Sequence, residues 1–229
     1  MNLASLLAQL QVTDSAFPGG LYTLSHGLEG YVQARAVGEA ELSGLLADLL
    51  RHSTGPGDAT ALVLAHRAVT EGDWEALTAA DRRLHAIKLN GAQRAAATRT
   101  GRQVLDTAAR VFGGPRITEL AALVREGLTP CNHAVVVGAV HAALGVPERH
   151  AAAGDLFAFA ASWTGAAVRL GRVDFRRAQA ILYGAHPEIA RAVEVALAAR
   201  GPGDIRTATP LADIFAAAHE RAPARLFTT

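Results

Sequence analysis

The sequence predicts an all-α protein, a single-domain bundle of about ten helices spanning residues 1–229. Three observations carry this reading. Fifty of the 229 residues are alanine, the strongest helix former and a residue depleted in strands. Apolar residues recur at helical spacing in one segment after another, and glycine and proline punctuate those segments from end to end. Half of the residues are hydrophobic but only 5% are aromatic, a composition that excludes a β-sandwich, a collagen, a disulfide scaffold and a disordered chain.

Taken in order, Leu42, Leu45, Leu46 and Leu49 fall at i, i+3, i+4 and i+7, an amphipathic helix between Gly38 and a break expected at Gly55-Pro56-Gly57. Asp58 stands where an N-cap belongs, ahead of an apolar stretch through Val69 that ends at Glu71-Gly72. Asp73 is placed to cap a helix from Trp74 to about Leu89. The stripe Val104, Leu105, Ala108, Ala109 and Phe112 stops at Gly113-Gly114-Pro115. Further helices are expected near Thr118–Arg125, His133–Leu144, Arg149–Leu170, Asp174–Tyr183, Pro187–Arg200 and Pro210–Arg221. Pro187 and Pro210 suit first-turn positions, where a missing N–H costs nothing. Ala134–Val140 reads equally as a buried strand by composition, but no second strand exists to pair with it.

The net charge of +1 gives no general pull towards nucleic acid or an acidic membrane. Its distribution is uneven. Residues 1–50 hold Arg35 as their only Lys or Arg against Asp14, Glu29, Glu39, Glu41 and Asp48, whereas residues 82–125 hold nine bases against Asp106 and Glu119. Such asymmetry steers a charged partner or simply solvates helix faces. Cys131 is the only cysteine, so no intrachain disulfide or cysteine-cluster zinc site is possible. The start Met1-Asn2-Leu3-Ala4 lacks a basic secretory region, and the uncharged stretch Leu156–Val168 is well short of the roughly 20 residues of a spanning helix, so a cytoplasmic protein is expected.

No catalytic set is assembled in the sequence. No two of the nine histidines are spaced i, i+3 or i+4, and His219-Glu220 starts an H-E-x-x-H pattern that Pro223 breaks. Cys131-x-His133 offers one thiolate and one imidazole, half a site for a borderline-soft ion such as nickel. Gly55-Pro56-Gly57 and Gly201-Pro202-Gly203 lack the preceding strand of a nucleotide-binding loop, and neither Ser15 nor Ser25 sits in a nucleophile elbow.

The segment Asp14–Glu29 departs from ordinary helix text: Pro18, Gly19 and Gly20 interrupt the chain, and Gly27 allows a close backbone approach. Pro18-x-Gly20-x-Tyr22-x-x-Ser25-x-Gly27-Leu28-Glu29 resembles the N-terminal signature of the urease accessory protein family UreF. Gly91-x-x-Arg94 with Thr100-Gly101-Arg102, His133-Ala134-Val135-Val136-Val137-Gly138 with Ala143-Leu144-Gly145, and Ala166-Ala167-Val168-Arg169-Leu170 are similar to its central blocks. Pro210-Leu211-Ala212-Asp213-Ile214, His219-Glu220 and Arg225-Leu226-Phe227 resemble its tail. Arg172-Val173-Asp174 stands where the family often carries Pro-Leu-Gly.

The resemblance implies an all-helical, non-enzymatic homodimer that binds UreD (also called UreH) and the GTPase UreG and supports nickel insertion into the urease apoprotein. No firmly bound cofactor is expected, and nickel transits the complex. On this resemblance the partner-binding candidates are Pro18, Gly20, Tyr22, Ser25, Gly27, Leu28, Glu29, Arg169, His219, Glu220, Arg225, Leu226 and Phe227. For Tyr22, Leu226 and Phe227, docking onto the protein's own helical body is an equal alternative, and for Arg169 the alternative is a structural ion-pair partner. Two rival classes are a TetR-like transcription regulator, which needs a basic amino-terminal helix-turn-helix that residues 1–50 lack, and a small helical enzyme with a scattered site.

Overall fold

Why the first long helix does not stop at its Gly-Pro-Gly is the main surprise of the fold. In the computed structural model, which describes residues 1–229, α3 (Leu42–Leu49) runs into a π-helical segment, Leu50–Ala59, and on into α4 (Thr60–Glu71) without interruption. Pro56 has no N–H and so removes one bond from the helical ladder. The extended segment after residue 204 braces this stretch: the Ala208 amide donates to the His52 carbonyl at 2.8 Å, and the Arg206 amide donates to the Pro56 carbonyl at 3.0 Å. Gly55 is required because a Cβ there would collide with the Leu50 carbonyl and with Ala192 of a neighbouring helix. Asp58 therefore caps nothing; its carboxylate takes Lys88 Nζ at 2.8 Å instead.

The other expected helices are present and no β-strand forms. They are α5 (Trp74–Ile87), α6 (Gly91–Val111), α7 (Pro115–Arg125), α8 (His133–Ala143), α9 (Glu148–Arg169), α10 (Phe175–Gly184), α11 (His186–Leu197) and α12 (Pro210–Glu220). Asp73 caps α5 by accepting the Ala76 amide at 2.9 Å, and Pro187 and Pro210 both occupy first-turn positions. Two further helices, α1 (Leu3–Thr13) and α2 (Leu28–Gln33), precede them, and a 3₁₀ turn, Leu21–Thr23, lies between the two.

All of these elements share one hydrophobic core centred on α4, α8 and α9. Ala134–Val140 is buried on every side, which explains its strand-like composition: a helix enclosed all round carries no polar face. Gly138 lets α8 approach α4 so closely that a Cβ would strike the Leu62 carbonyl. Asp81 on α5 fixes the entry to α8, its buried carboxylate accepting the Cys131 and Asn132 amides at 2.6 and 3.0 Å and the Thr129 hydroxyl at 2.5 Å. No helix is long and apolar enough to cross a membrane.

Candidate functional site

The segments at the two ends of the chain meet. Tight turns at Gly20 (φ 73°) and Gly27 (φ 86°), which only glycine adopts without strain, bring residues 21–29 across the bundle to α12 and the tail. Gly30 then lets α2 press against the Phe215 carbonyl of α12. Glu29 is the hub. Its carboxylate lies 2.8 Å from His219 Nε2 and accepts the Leu226 and Phe227 amides at 2.8 and 2.9 Å. Burial alone raises the pKa of Glu29, but the two amides and His219 outweigh it and hold the carboxyl below its usual range.

A second layer stitches the tail down. Ser25 is buried; its amide and hydroxyl both donate to the Thr229 carbonyl, and its oxygen accepts the Glu29 amide at 3.2 Å. Thr228 donates its amide to the Thr23 carbonyl at 3.0 Å. Arg169, at the end of α9, lies between two aromatic faces, 4.0 Å from the Tyr22 ring centre and 4.4 Å from that of Phe227, and donates to the Tyr22 carbonyl. Stacking of this kind suits the planar guanidinium. Glu220 is joined to the start of α6 through Asn90 Nδ2 at 3.1 Å.

Of the thirteen candidates, Ser25, Gly27, Leu28, Glu29, His219 and Phe227 are buried and hold the clasp from within. Pro18, Tyr22, Glu220, Arg225 and Leu226 lie on its outside, with Tyr22 69% and Leu226 64% exposed. Arg169 bridges inside and outside, and Gly20 supplies the turn. The self-docking alternative thus describes Phe227, while Tyr22 and Leu226 present apolar surface to solvent. Arg169 takes no carboxylate partner; it is held by rings and carbonyls. Arg99 was not a candidate, yet its guanidinium reaches both Thr23 Oγ1 at 3.4 Å and Thr228 Oγ1 at 3.1 Å. Nothing local marks it out from its basic neighbours.

Those neighbours are mostly occupied within the fold. Arg82 and Arg83 donate to the Leu128 and Ile205 carbonyls, Arg94 to those of Lys88 and Leu89, Lys88 pairs with Asp58, and Arg110 pairs with Asp106. Much of the basic run therefore serves as internal staples.

Beside the clasp lies an open pocket of about 170 Å³, lined among others by His26, His133 and Asp155. His26 Nε2 is 3.1 Å from Ser162 Oγ, and burial, aided by the neighbouring His133, pushes its pKa down to about 3. His133 lies 3.5 Å from Asp155, and its Nδ1 has no partner within the protein. Cys131 is enclosed in the core, and burial pushes its thiol up to about 12, far from a metal-binding thiolate. No three His, Cys, Asp or Glu side chains converge as a metal-ligand set.

Comparison with known proteins decides the family. The UreF family model matches residues 37–186. The chain is 33% identical over 227 residues to "Urease accessory protein UreF" of Trichodesmium erythraeum, covering 99% of this chain and 97% of that protein. It is 33% identical over 226 residues to "Urease accessory protein UreF 2" of Brucella canis, covering 99% and 93% respectively, and 31% identical over 232 residues to the Yersinia pestis UreF, covering both in full. This chain belongs to the UreF family. Its clasp thus joins the family-like blocks at the two ends of the sequence, and Arg169 of the Ala166–Leu170 block locks them together.

Proposed function

We propose that the chain is a urease accessory protein, a non-catalytic scaffold in the cytoplasm that promotes nickel insertion into the urease apoprotein. As a homodimer it binds UreD/UreH and recruits and modulates the GTPase UreG. One observation carries this reading: three sequence blocks, within residues 18–29, 166–170 and 210–227, converge on one clasp, whose outer side presents Tyr22, Arg225 and Leu226 to solvent. Tyrosine and arginine, here Tyr22 and Arg225, are among the residue types enriched in protein-binding hot spots.

The mechanism needs contact rather than bond-making. A scaffold that binds one nucleotide state of UreG more tightly than the other shifts its population by that difference in affinity. Nickel is cargo here, and the pocket's imidazole, carboxylate and hydroxyl groups offer it passing contacts without a ligand set tight enough to trap it. The test is a reconstitution of apo-urease with UreD, UreG, nickel and GTP, with and without this protein. Urease activity that depends on its addition supports the reading. Equal activity without it, or turnover of a small molecule by the purified chain alone, contradicts it.

A further inference from the structure

The carboxylates that the fold draws out of water are given partners, with one exception. Asp81 accepts the Thr129 hydroxyl and the Cys131 and Asn132 amides, Glu29 holds two amides and His219, Asp155 lies against His133, and Asp58 takes Lys88. Asp213, near the start of α12, is the exception. It is partly buried, yet its carboxylate accepts no hydrogen bond and meets no cation, so burial pushes its pKa up with nothing to offset the rise. Asp213 lines the same open pocket as His133 and Asp155, together with Ser53, Thr207 and Thr209. Thr207 Oγ1 is 3.3 Å from Ser53 Oγ and 3.5 Å from Thr209 Oγ1, a row of hydroxyls fixed by the bonds of residues 206 and 208 to the π-helical segment. The remaining charges of the lining cancel: Lys88 is paired with Asp58, Asp155 has His133, and His26 is neutral. The negative charge of Asp213 is left over. A second carboxylate shares this side, since burial and then Asp213 and the exposed Asp48 push the Tyr31 phenol up. Each residue of α12 turns through about 100°, so Ile214 stands one step outward from Asp213 and Leu211 beyond it. Both are apolar and about three-fifths open to solvent, at 60% and 61%.

We propose that this pocket is a socket for one Lys or Arg side chain of a protein partner. Asp213 takes its charge, the Ser53, Thr207 and Thr209 hydroxyls accept its N–H groups, and Leu211 and Ile214 meet the apolar surface around it. That the partner is a maturation protein rests on the scaffold reading above; the socket itself stands on geometry. The lining favours an organic cation over a metal ion. Its acceptors are spread along a wall and no three metal-ligating side chains converge, whereas a guanidinium or ammonium carries several donors that point apart. A free ion would also leave Leu211 and Ile214 uncovered. A half-buried carboxylate without a donor is a cost in the free chain that a charge-assisted bond from a partner removes.

Two measurements on the full chain test this. The first titrates n-butylguanidinium, an arginine side chain without its backbone, and follows the threonine methyl groups by NMR. The Thr207 and Thr209 methyls are expected to shift saturably with a midpoint of roughly 10 mM, and about ten-fold more weakly in Asp213→Asn. No shift, or an equal shift in Asp213→Asn, overturns the socket. Tetramethylammonium, a cation without N–H donors, is expected to leave these methyls where they are; an equal response to it overturns the hydrogen-bonded socket in favour of a plain cation site. The second measurement is capture of UreD/UreH and of UreG. Asp213→Asn is expected to weaken capture of one of them by about ten-fold, with a melting temperature no lower, because the carboxylate it replaces has no partner in the free chain. Unchanged capture of both, or a loss that comes with a lower melting temperature, overturns the docking. Failure of the unsubstituted chain to capture either protein counts against the scaffold reading, and the NMR titration alone then decides the socket.

Discussion

The α4–α8 contact and the end-to-end clasp are both buried, yet they are held by opposite physics. At α4–α8 the fit is one of shape: Gly138 against the Leu62 backbone, flanked by Val135, Val136, Val140 and Ala65, none of them solvent-exposed. At the clasp the fit is one of polarity, a buried carboxylate receiving two amides and an imidazole. Dry packing tolerates no added atom but is indifferent to hydrogen-bond partners. A buried charge tolerates the loss of shape better than the loss of a donor. The body is thus fixed by shape and the edge by its donors.

The sharpest break in the comparison comes from Gly138→Ala. Its Cβ meets backbone rather than a movable side chain, so a destabilisation of about 3 kcal/mol is expected, read as a melting temperature lower by about 6–12 °C for a chain of this size. Acid should separate the two regions next. His141, fully buried on α8 with neither ring nitrogen partnered in the protein, has its pKa pushed down to about 4 by burial. A depressed histidine contributes stability that is present above the unfolded value of about 6.5 and is lost as pH falls towards its folded value, here a loss of about 3 kcal/mol between pH 7 and 4. Glu29 behaves differently: its depressed carboxyl contributes above the ordinary carboxylate range, so the clasp holds through pH 5 and weakens only in stronger acid. Melting curves of the chain and of His141→Leu across pH 4–7 check this, the variant giving the flatter profile.

Smaller effects belong to the clasp. His219→Ala leaves the buried Glu29 carboxylate short of a donor and is expected to cost about 2 kcal/mol, measured by urea unfolding. Arg169→Ala, which removes both stacking contacts and the bond to the Tyr22 carbonyl, is expected to cost about 1 kcal/mol, with Arg169→Lys between it and the original because an ammonium cannot stack as a plane.

Much of the body was legible in the sequence because its signals are local. The Asp73 cap, the Gly72 stop and the first-turn prolines act within one helical turn, and the leucine spacing of α3 marks its buried face. Gly55-Pro56-Gly57 misled for the converse reason: it reads as a break until a segment some 150 residues later donates to the His52 and Pro56 carbonyls, a tertiary effect with no local trace. The clasp was half legible. Its residues stood out in the departure of Asp14–Glu29 from helix text and in the family-like tail, but no spacing foretold that Glu29 would receive the Leu226 and Phe227 amides, or that Arg99 would reach Thr23 and Thr228.

The most direct test takes the outer face of the clasp alone. Tyr22→Ala and Leu226→Asp in one chain change two exposed side chains and leave the Glu29 hub in place. Capture of UreD/UreH is predicted to weaken by about ten-fold or more, with a melting temperature within about 4 °C of the original. Undiminished capture together with full urease activation by this variant would contradict the claim that the clasp is where the scaffold is gripped.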